Sequence, residues 1–437
     1  MKVELSNINR IKNASIKLNG LTVIAGENDS GKSTLSKMIF SNIKAHANII
    51  DYEKMGQTEK IWPTVRLLYK RLGLPVRRFG YPSADDINIP RSAEDFIAKI
   101  SSLDDGEITH FLEEFMCEIQ KKEQLKIRTL SLIEQDLNSI KICLKNSDNP
   151  AALLQPEVLR LIESEFINNI TSVKTSRSSF AFIDDDNKSV MSYEIKDNSV
   201  DNLEYIDSFN FFKDATYVES PLHFQLQDIL KRSQSYIDYG DQGGLMFFRS
   251  LMVPMHVKDF SDKIVPPAYE SGNLFVNNEL IKIIHGTTKG AFSFDREKRR
   301  ITFRNQLGEF TLNNVASGIK SFGVLEILLS NEIISPEKML LWDEPENHLH
   351  PQWQVYFADV LVQLAKAGIP IVVCSHSPYF IQAVRHFSSV HSIEGSVDYY
   401  MSRVESDGLC TFDEVTEDLN RIFSKLAAPM NEIMNFG

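Results

Sequence analysis

Cysteine is scarce in this chain, which has four among 437 residues: Cys117, Cys143, Cys374 and Cys410. They are widely scattered and form no C-x-x-C pair. Zinc sites and disulfide frameworks built on cysteine show closer and more regular spacings than these. The cysteine pattern therefore indicates neither a zinc site nor a disulfide framework.

The chain also lacks long apolar runs and an excess of positive charge. It has no stretch of about eighteen consecutive apolar residues, and Met1-Lys2-Val3-Glu4 does not begin an apolar signal region. The net charge of -12 argues against a protein that coats nucleic acid non-specifically. A nucleic-acid ligand stays open, because binding depends on where charges lie rather than on their sum. We expect a cytoplasmic protein with no membrane partner.

Residues 26–34 match the pattern G-x-x-x-x-G-K-[ST] of a phosphate-binding loop. The apolar, β-branched run 21–25 before the loop predicts a buried strand, and apolar residues recur at helical spacing over 35–40 after it. Glycines let successive backbone N–H groups close around the phosphates at a helix N-terminus. The predicted phosphate-binding residues are Gly26, Asn28, Asp29, Ser30, Gly31, Lys32, Ser33 and Thr34.

Two side chains of this loop have specific predicted roles. In a phosphate-binding loop the lysine reaches the β- and γ-phosphates, and the following hydroxyl binds Mg²⁺. These residues are Lys32 and Ser33. The sequence therefore predicts ATP and Mg²⁺ as ligands.

A second apolar run, Met339-Leu340-Leu341-Trp342, ends in two acidic residues, Asp343 and Glu344. Burying adjacent carboxylates without partners is costly, so a structural explanation is poor. In phosphate-loop proteins an Asp at the tip of such a strand holds the metal. A carboxylate directly after it can deprotonate the attacking water, so Glu344 is the predicted general base.

A third apolar strand is predicted over Ile371-Val372-Val373-Cys374, followed by Ser375-His376-Ser377-Pro378. Ligands of α/β proteins bind at the carboxyl ends of the strands. His376 is therefore placed where it can donate a hydrogen bond to the γ-phosphate. Nucleophilic catalysis by Ser375 or Ser377 is a weaker alternative, because no G-x-S-x-G elbow is present.

The remaining pattern predicts mostly helices from His46 to about Ile170 and an antiparallel hairpin around residues 179–183. Asn19-Gly20 predicts a hairpin turn between strands at 14–18 and 21–25. A second meander is expected from strands at 280–284, 290–294 and 300–304. The densest basic cluster lies there, from Arg296 to Arg304, and is more typical of a solvated hairpin face than of a nucleic-acid patch.

Together the loop, residues 343–351 and residues 375–378 resemble the ABC/SMC-type P-loop ATPases. The closest branch is the OLD-like one found in bacterial anti-phage defence proteins. Ser317 and Gly318, before an apolar helix, lie where that family has its signature motif. The resemblance covers residues 1–45 and about 280–380. It implies an α/β ATPase head, with a mixed central sheet and an antiparallel β subdomain, that carries a largely helical insertion.

The same resemblance implies how the site is completed. Two heads of a homodimer, or of a higher homo-oligomer, would sandwich ATP, with Ser317 and Gly318 of one head reaching the loop of the other. Asp343 and Ser33 would support the metal, Glu344 would be the base and His376 the switch histidine, with Lys32 on the phosphates. The segment from Glu346 to His350 matches the part that lies along the dimer interface, which accounts for His348 and His350 better than metal ligation does.

The implied domain organisation has five parts. They are the N-terminal part of the ATPase head (1–45), a helical insertion (46–170), a mixed β/α insertion (171–280), the C-terminal part of the head (281–395) and a C-terminal helical tail (396–437). We expect no metal-binding Toprim nuclease domain of the kind that OLD nucleases carry, because only Phe380 to Gly437 follow the switch histidine in this sequence. Asp407, Asp413, Glu414 and Asp418 in this tail are therefore expected to be solvated acids.

Three functions stay open. The leading hypothesis is a sensor or regulatory ATPase of an anti-phage system, which controls a separately encoded effector such as a nuclease or toxin. The alternative is a DNA-binding SMC/RecF-like repair ATPase without an effector. A third is a nucleotide-binding scaffold that barely hydrolyses ATP, since Ala316 departs from the serine expected in the signature motif.

Overall fold

The computed structural model describes residues 1–435, leaving out 55–56, 76–89, 122–126, 146–149, 167–169, 173–174, 176, 197–198, 207–211, 227–252, 265–277 and 296–299. Much of the predicted basic cluster, including Arg296, Lys298 and Arg299, lies outside the described residues. The chain divides into two compact units. The sheet unit contains Met1–Ala47, Gln155–Ser235 and Leu251–Gly437, and the helical unit contains Asn48–Leu154.

The strands all belong to the sheet unit. They are β1 (Lys2–Ile8), β2 (Ile11–Lys17), β3 (Leu21–Ala25), β4 (Arg177–Ile183), β5 (Ser189–Lys196), β6 (Ser199–Tyr205), β7 (Asp214–Val218), β8 (Gly290–Asp295), β9 (Arg300–Asn305), β10 (Gly308–Thr311), β11 (Lys338–Asp343), β12 (Ile371–Ser375), β13 (Val397–Val404) and β14 (Cys410–Glu414).

Eleven of the described strands form one sheet in the order β6-β5-β4-β1-β2-β14-β13-β3-β12-β11-β7. The pairs from β13 through β3, β12 and β11 to β7 are parallel, and those from β2 through β1, β4 and β5 to β6 are antiparallel. Strands β8, β9 and β10 form a separate antiparallel sheet. The predicted α/β fold with a mixed central sheet and a smaller antiparallel β part is confirmed.

The helices follow in chain order. They are α1 (Lys32–Lys54), α2 (Gln57–Arg71), α3 (Ala93–Ile100), α4 (Asp105–Gln120), α5 (Ile127–Lys145), α6 (Pro150–Phe166), α7 (Leu222–Gln225), α8 (Met255–Lys263), α9 (Asn278–Thr288), α10 (Ser317–Ser330), α11 (Pro351–Lys366), α12 (Pro378–Val390) and α13 (Asn420–Asn435). Among those described, none has both the length and the apolar character needed to cross a membrane.

The parallel strands form the centre of the core. Every residue of β3 and β12 is buried, as expected for strands that are covered on both faces. Helix α11 begins with Pro351 at its first position and buries Phe357, Val360 and Leu364 at helical spacing. Phe357 packs edge-on against Trp342 of β11, with ring centroids 5.0 Å apart. This packing fixes the strand that ends at Asp343.

The helical unit has its own apolar core. Its centre is aromatic, with Tyr69, Phe96, Phe111 and Phe115 all buried. Phe96 and Phe115 lie 5.0 Å apart in an edge-on arrangement. Helix α4 begins with a capping box between Asp104 and Glu107, which satisfies two of the backbone N–H groups at its start.

The expectation of a strand at Leu280 to Ile284 is wrong, because these residues lie in α9. Leu280 and Ile284 are both buried, and four-residue spacing places them on one face of a helix. A short apolar run does not by itself distinguish a strand from a buried helix. The packing of α9 against the core decides between the two.

The expectation of a helical tail over 396–437 is wrong for its first half, because β13 and β14 occupy most of 397–414. These strands lie between β2 and β3 in the sheet, so the predicted hairpin through Asn19-Gly20 is also wrong. Gly20 still turns the chain, with φ of +70°. The turn was predicted correctly, but β2 pairs with β14 and β3 pairs with β13, so β2 and β3 do not form a hairpin.

Candidate active site

The predicted site residues lie where four parallel strands end. Strands β7, β11, β12 and β3 are neighbours, with Val218 opposite Trp342, Asp343 opposite Cys374 and Ser375 opposite Ala25. Parallel strands present their carboxyl ends at the same edge of a sheet, where α/β proteins bind ligands. The loop, the acidic pair and the histidine are therefore brought to one edge.

The phosphate-binding loop connects β3 to α1, as predicted. The loop residues Asp29 and Gly31 have positive φ angles of 61° and 84°. Lys32 is buried, and its Nζ donates to the carbonyl oxygens of Gly26 and Glu27 at 3.0 and 2.7 Å. Asn28 and Asp29 are exposed at the tip, and Thr34 is half-buried in the first turn of α1.

Ser402 of β13 is hydrogen-bonded to the loop. The sequence analysis did not predict this contact. Its Oγ donates to Ser30 Oγ at 2.5 Å, and Ser30 Oγ donates to Glu27 O at 2.7 Å. A Cβ placed at Gly26 would lie 1.9 Å from Ser402 Oγ. A side chain at position 26 would therefore overlap the Ser402 hydroxyl unless that side chain moved.

Asp343 lies directly against the start of α1. Ser33 Oγ donates to Asp343 Oδ2 at 2.5 Å, and the buried Tyr217 hydroxyl donates to the same oxygen at 3.0 Å. Burial raises the pKa of the Asp343 carboxyl above its ordinary value, although both hydrogen bonds oppose the shift. The structure thus joins the two predicted metal-binding residues and adds Tyr217, which sequence reasoning missed.

The same carboxyl fits a hard divalent cation. Asp343 Oδ1 is buried and has no hydrogen-bond partner among the described residues. A buried, unsatisfied oxygen of this kind needs a partner. Carboxylate and hydroxyl oxygens, completed by water and phosphate, are what Mg²⁺ takes up in such sites. Asp343 and Ser33 would hold the ion.

Glu344 follows with a positive φ of 48°, and its backbone N–H donates to Cys374 O at 2.8 Å. Asn347 Nδ2 donates to Glu344 Oε2 at 2.6 Å, and His376 Nδ1 lies 3.3 Å from Glu344 Oε1. The contact with His376 lowers the pKa of Glu344 to about 2, and the same contact raises the pKa of His376. The predicted base and the predicted switch histidine are therefore partners.

Glu346 fixes the loop that carries His376. This buried carboxylate accepts three hydrogen bonds at Oε1, from Ser375 Oγ at 2.7 Å and from the backbone N–H groups of His376 and Ser377 at 2.8 and 3.1 Å. Burial raises its pKa. The sequence analysis assigned Glu346 only to the interface segment. Its position two residues after the predicted general base could have indicated a role in the site.

Ser317 and Gly318 belong to a different group of contacts. Helix α10 begins at Ser317, and no side chain caps its first turn. A Cβ placed at Gly318 would lie 3.2 Å from atoms of His348, Leu349 and Trp353. The structure therefore brings Gly318, at the predicted signature position, against the predicted interface segment, whereas Ser33 and Tyr217 form the cluster around Asp343.

Comparison with known proteins gives one extensive match and several weak likenesses. An uncharacterised protein of Methanocaldococcus jannaschii is 28% identical over 139 residues, which cover 31% of this chain and 16% of that protein. The SMC head domain from Thermotoga maritima is 11% identical, with a TM-score of 0.39 over 95% of this chain and 98% of that one. An Smc head domain bound to the C-terminal domain of ScpA, derived from Pyrococcus furiosus, is 10% identical, with a TM-score of 0.39 over 97% and 98%.

The extensive match is to a family rather than to a single protein. Residues 1–381 match the AAA ATPase domain family that is designated AAA_15. The match includes the loop, the acidic pair and His376, whereas Ser402 lies beyond it. The chain belongs to this family of P-loop AAA ATPases.

Proposed function

We propose that this protein hydrolyses ATP at the edge of the sheet formed by β3, β11 and β12. The observation that carries the proposal is the contact of Ser33 with Asp343 at 2.5 Å, beside the unpartnered Oδ1 of that carboxylate. When ATP binds, Lys32 Nζ leaves the carbonyl oxygens of the loop and contacts the β- and γ-phosphates. Asp343 and Ser33 would hold Mg²⁺, which would neutralise charge that develops on the phosphates during transfer.

Glu344 accepts the proton of the attacking water. A carboxylate held at a pKa of about 2 by His376 is a weak base, so hydrolysis requires the histidine to turn away. His376 then donates to the γ-phosphate, and Glu344 regains basicity when its cationic neighbour leaves. The contact between His376 and Glu344 therefore supports a site that is inactive until the γ-phosphate is bound.

Two heads sandwich the nucleotide in this proposal. The uncapped N-terminus of α10 has backbone N–H groups available for an anion, and Ser317 and Gly318 stand at it. Gly318 packs on the segment around His348. A homodimer places this helix end against the loop of the other head, and a higher homo-oligomer repeats the contact.

We further propose that ATP-dependent dimerisation regulates a separately encoded effector, a nuclease or toxin, in a bacterial anti-phage system. The sequence resemblance to the OLD-like branch supports this role. The helical unit has a core of its own, and none of the described residues assigned to the site belongs to it, so we assign it the recognition of a trigger or partner. A DNA-repair role is the alternative outcome of the experiment below.

The test is native mass spectrometry of Glu344→Gln, co-expressed with its genomic neighbours and purified with Mg-ATP. Removing the base should reduce turnover by about 10²- to 10⁴-fold and trap an ATP-bound dimer. A second polypeptide in fixed stoichiometry would support the regulatory role. Lys32→Ala, prepared in parallel, should give neither nucleotide nor dimer.

Two results would contradict these proposals. Hydrolysis by Glu344→Gln at the wild-type rate would remove Glu344 as the base. A Glu344→Gln homodimer with ATP but no second polypeptide, together with wild-type turnover that DNA stimulates and salt suppresses, would replace effector control with the repair function.

A further inference from the structure

We propose that Glu219, His223 and His256 form a binding site for a divalent transition-metal ion of the zinc class. One ligand atom from each of the three residues lies within 4.8 Å of the other two. Glu219 directly follows β7, His223 is in α7 and His256 is the second residue of α8. The proposal does not depend on the function proposed above.

The geometry is close to that of a bound ion. His256 Nε2 and Glu219 Oε2 are 3.0 Å apart. Ligand atoms of a tetrahedral zinc lie about 3.4 Å apart, since each is roughly 2.0–2.2 Å from the metal. Lys37 lies 3.6 Å from the other oxygen of Glu219, which leaves Oε2 facing the histidines. The third ligand atom, on the half-buried His223, lies within 4.8 Å of both of these atoms.

A further carboxylate orients the buried histidine. Glu165 Oε2 is 2.6 Å from His256 Nδ1, and Glu165 Oε1 accepts the His256 backbone N–H at 2.9 Å. Both side chains are fully buried. Metal-binding histidines commonly donate their second N–H to a carboxylate, which fixes the ring and increases its basicity. Here that arrangement directs Nε2 to Glu219 Oε2, which is 3.0 Å away.

This donor set differs from the one at Asp343. Two imidazoles and one carboxylate suit zinc and similar ions, whereas carboxylate, hydroxyl and water oxygens suit Mg²⁺. The Glu219 side chain is 37% exposed whereas that of His256 is fully buried, so solvent reaches the cluster at Glu219. Three protein ligands with an open fourth position admit a water molecule. An ion here would connect β7, α7 and α8.

The experiment uses chelator-treated full-length protein without nucleotide or Mg²⁺. It is titrated with Zn²⁺ and separately with Co²⁺, whose visible absorption reports coordination. We expect one ion per chain, tetrahedral Co²⁺ bands and a Tm that rises with Zn²⁺ concentration. His223→Ala and Glu219→Gln should abolish these signals while circular dichroism shows that the fold is kept. Glu165→Gln should weaken affinity by about 10- to 100-fold.

Two controls make the result specific. His110→Ala removes an exposed histidine that is also next to a glutamate, and should leave binding unchanged. Asp343→Asn removes the predicted Mg²⁺ ligand, and should also leave the binding of Zn²⁺ and Co²⁺ unchanged. Absence of binding by folded wild-type protein would overturn the proposal, as would wild-type affinity in both His223→Ala and Glu219→Gln. Loss of the signal in Asp343→Asn would relocate the ion to the nucleotide site.

Discussion

His376 Nδ1 lies 3.3 Å from Glu344 Oε1 and 3.4 Å from Glu346 Oε1. One imidazole thus faces both the predicted base and the buried carboxylate that holds its own loop. Glu346 fixes the backbone on either side of the ring, so the ring can rotate while the loop stays in place. Histidine is suited to this position, because modest changes in its surroundings alter its charge near neutral pH.

His376→Ala should lower ATP turnover by about a hundredfold, because it removes a donor to the developing phosphate charge. ATP binding, measured by calorimetry, should change much less. His391→Ala is the matched control, since His391 pairs with Asp359 by a similar 2.7 Å contact elsewhere on the sheet unit. Equal turnover in His376→Ala and wild type would contradict the switch role.

The same pair predicts a pH-dependent stability. The lowered pKa of Glu344 contributes stability that is present above pH 4.5 and is lost as the pH falls towards 2. The raised pKa of His376 contributes stability that is complete below pH 6.5 and is lost as the pH rises through the folded value. The Tm difference between wild type and His376→Ala should therefore be largest between these limits. Because both groups are partly exposed, this Tm difference should correspond to a change of about 1 kcal/mol or less in the free energy of unfolding.

Lys32→Ala should abolish nucleotide binding, because it removes the charge that contacts the phosphates. Calorimetry with ATP and Mg²⁺ measures this directly. Lys12→Ala removes an exposed lysine of β2 that pairs with Asp407, and should bind ATP as the wild type does. Unchanged affinity in Lys32→Ala would show that residues 26–34 do not bind phosphate.

Tyr217→Phe should raise the Mg²⁺ concentration needed for half-maximal hydrolysis by about 10- to 100-fold. The hydroxyl donates to Asp343 Oδ2, and loss of such a partner weakens metal binding by this amount. Tyr69→Phe makes the same chemical change in the helical unit, where the hydroxyl donates to Pro90 O, and should not alter the Mg²⁺ dependence. If both variants respond alike, Tyr217 has no specific role at the metal.

Gly26→Ala should destabilise the protein by about 1–3 kcal/mol, because the added methyl group overlaps Ser402 Oγ. Adding Ser402→Ala removes that oxygen and should recover part of the loss. Thermal unfolding of the two single variants and the double variant measures the coupling. Strict additivity would mean that Ser402 is not what excludes a side chain at position 26.

Local sequence patterns predict most residues of the candidate site. Gly26, Lys32 and Ser33 are recognisable because a phosphate-binding loop is one continuous stretch between a strand and a helix. Asp343 and Glu344 are recognisable because two acids at the end of an apolar strand have little structural justification. A local sequence pattern was enough to predict these residues, since each lies close to the end of its own strand.

The order of the strands in the sheet, and with it the partners of those residues, could not be predicted from local patterns. Tyr217 meets Asp343 across 126 positions, Ser402 meets Ser30 across 372, and Glu165 meets His256 across 91. Strands β13 and β14 enter the sheet between β2 and β3 and displace the hairpin that Asn19-Gly20 predicts. The pairing of distant strands depends on burial across the whole sheet, and no local window of sequence contains that information.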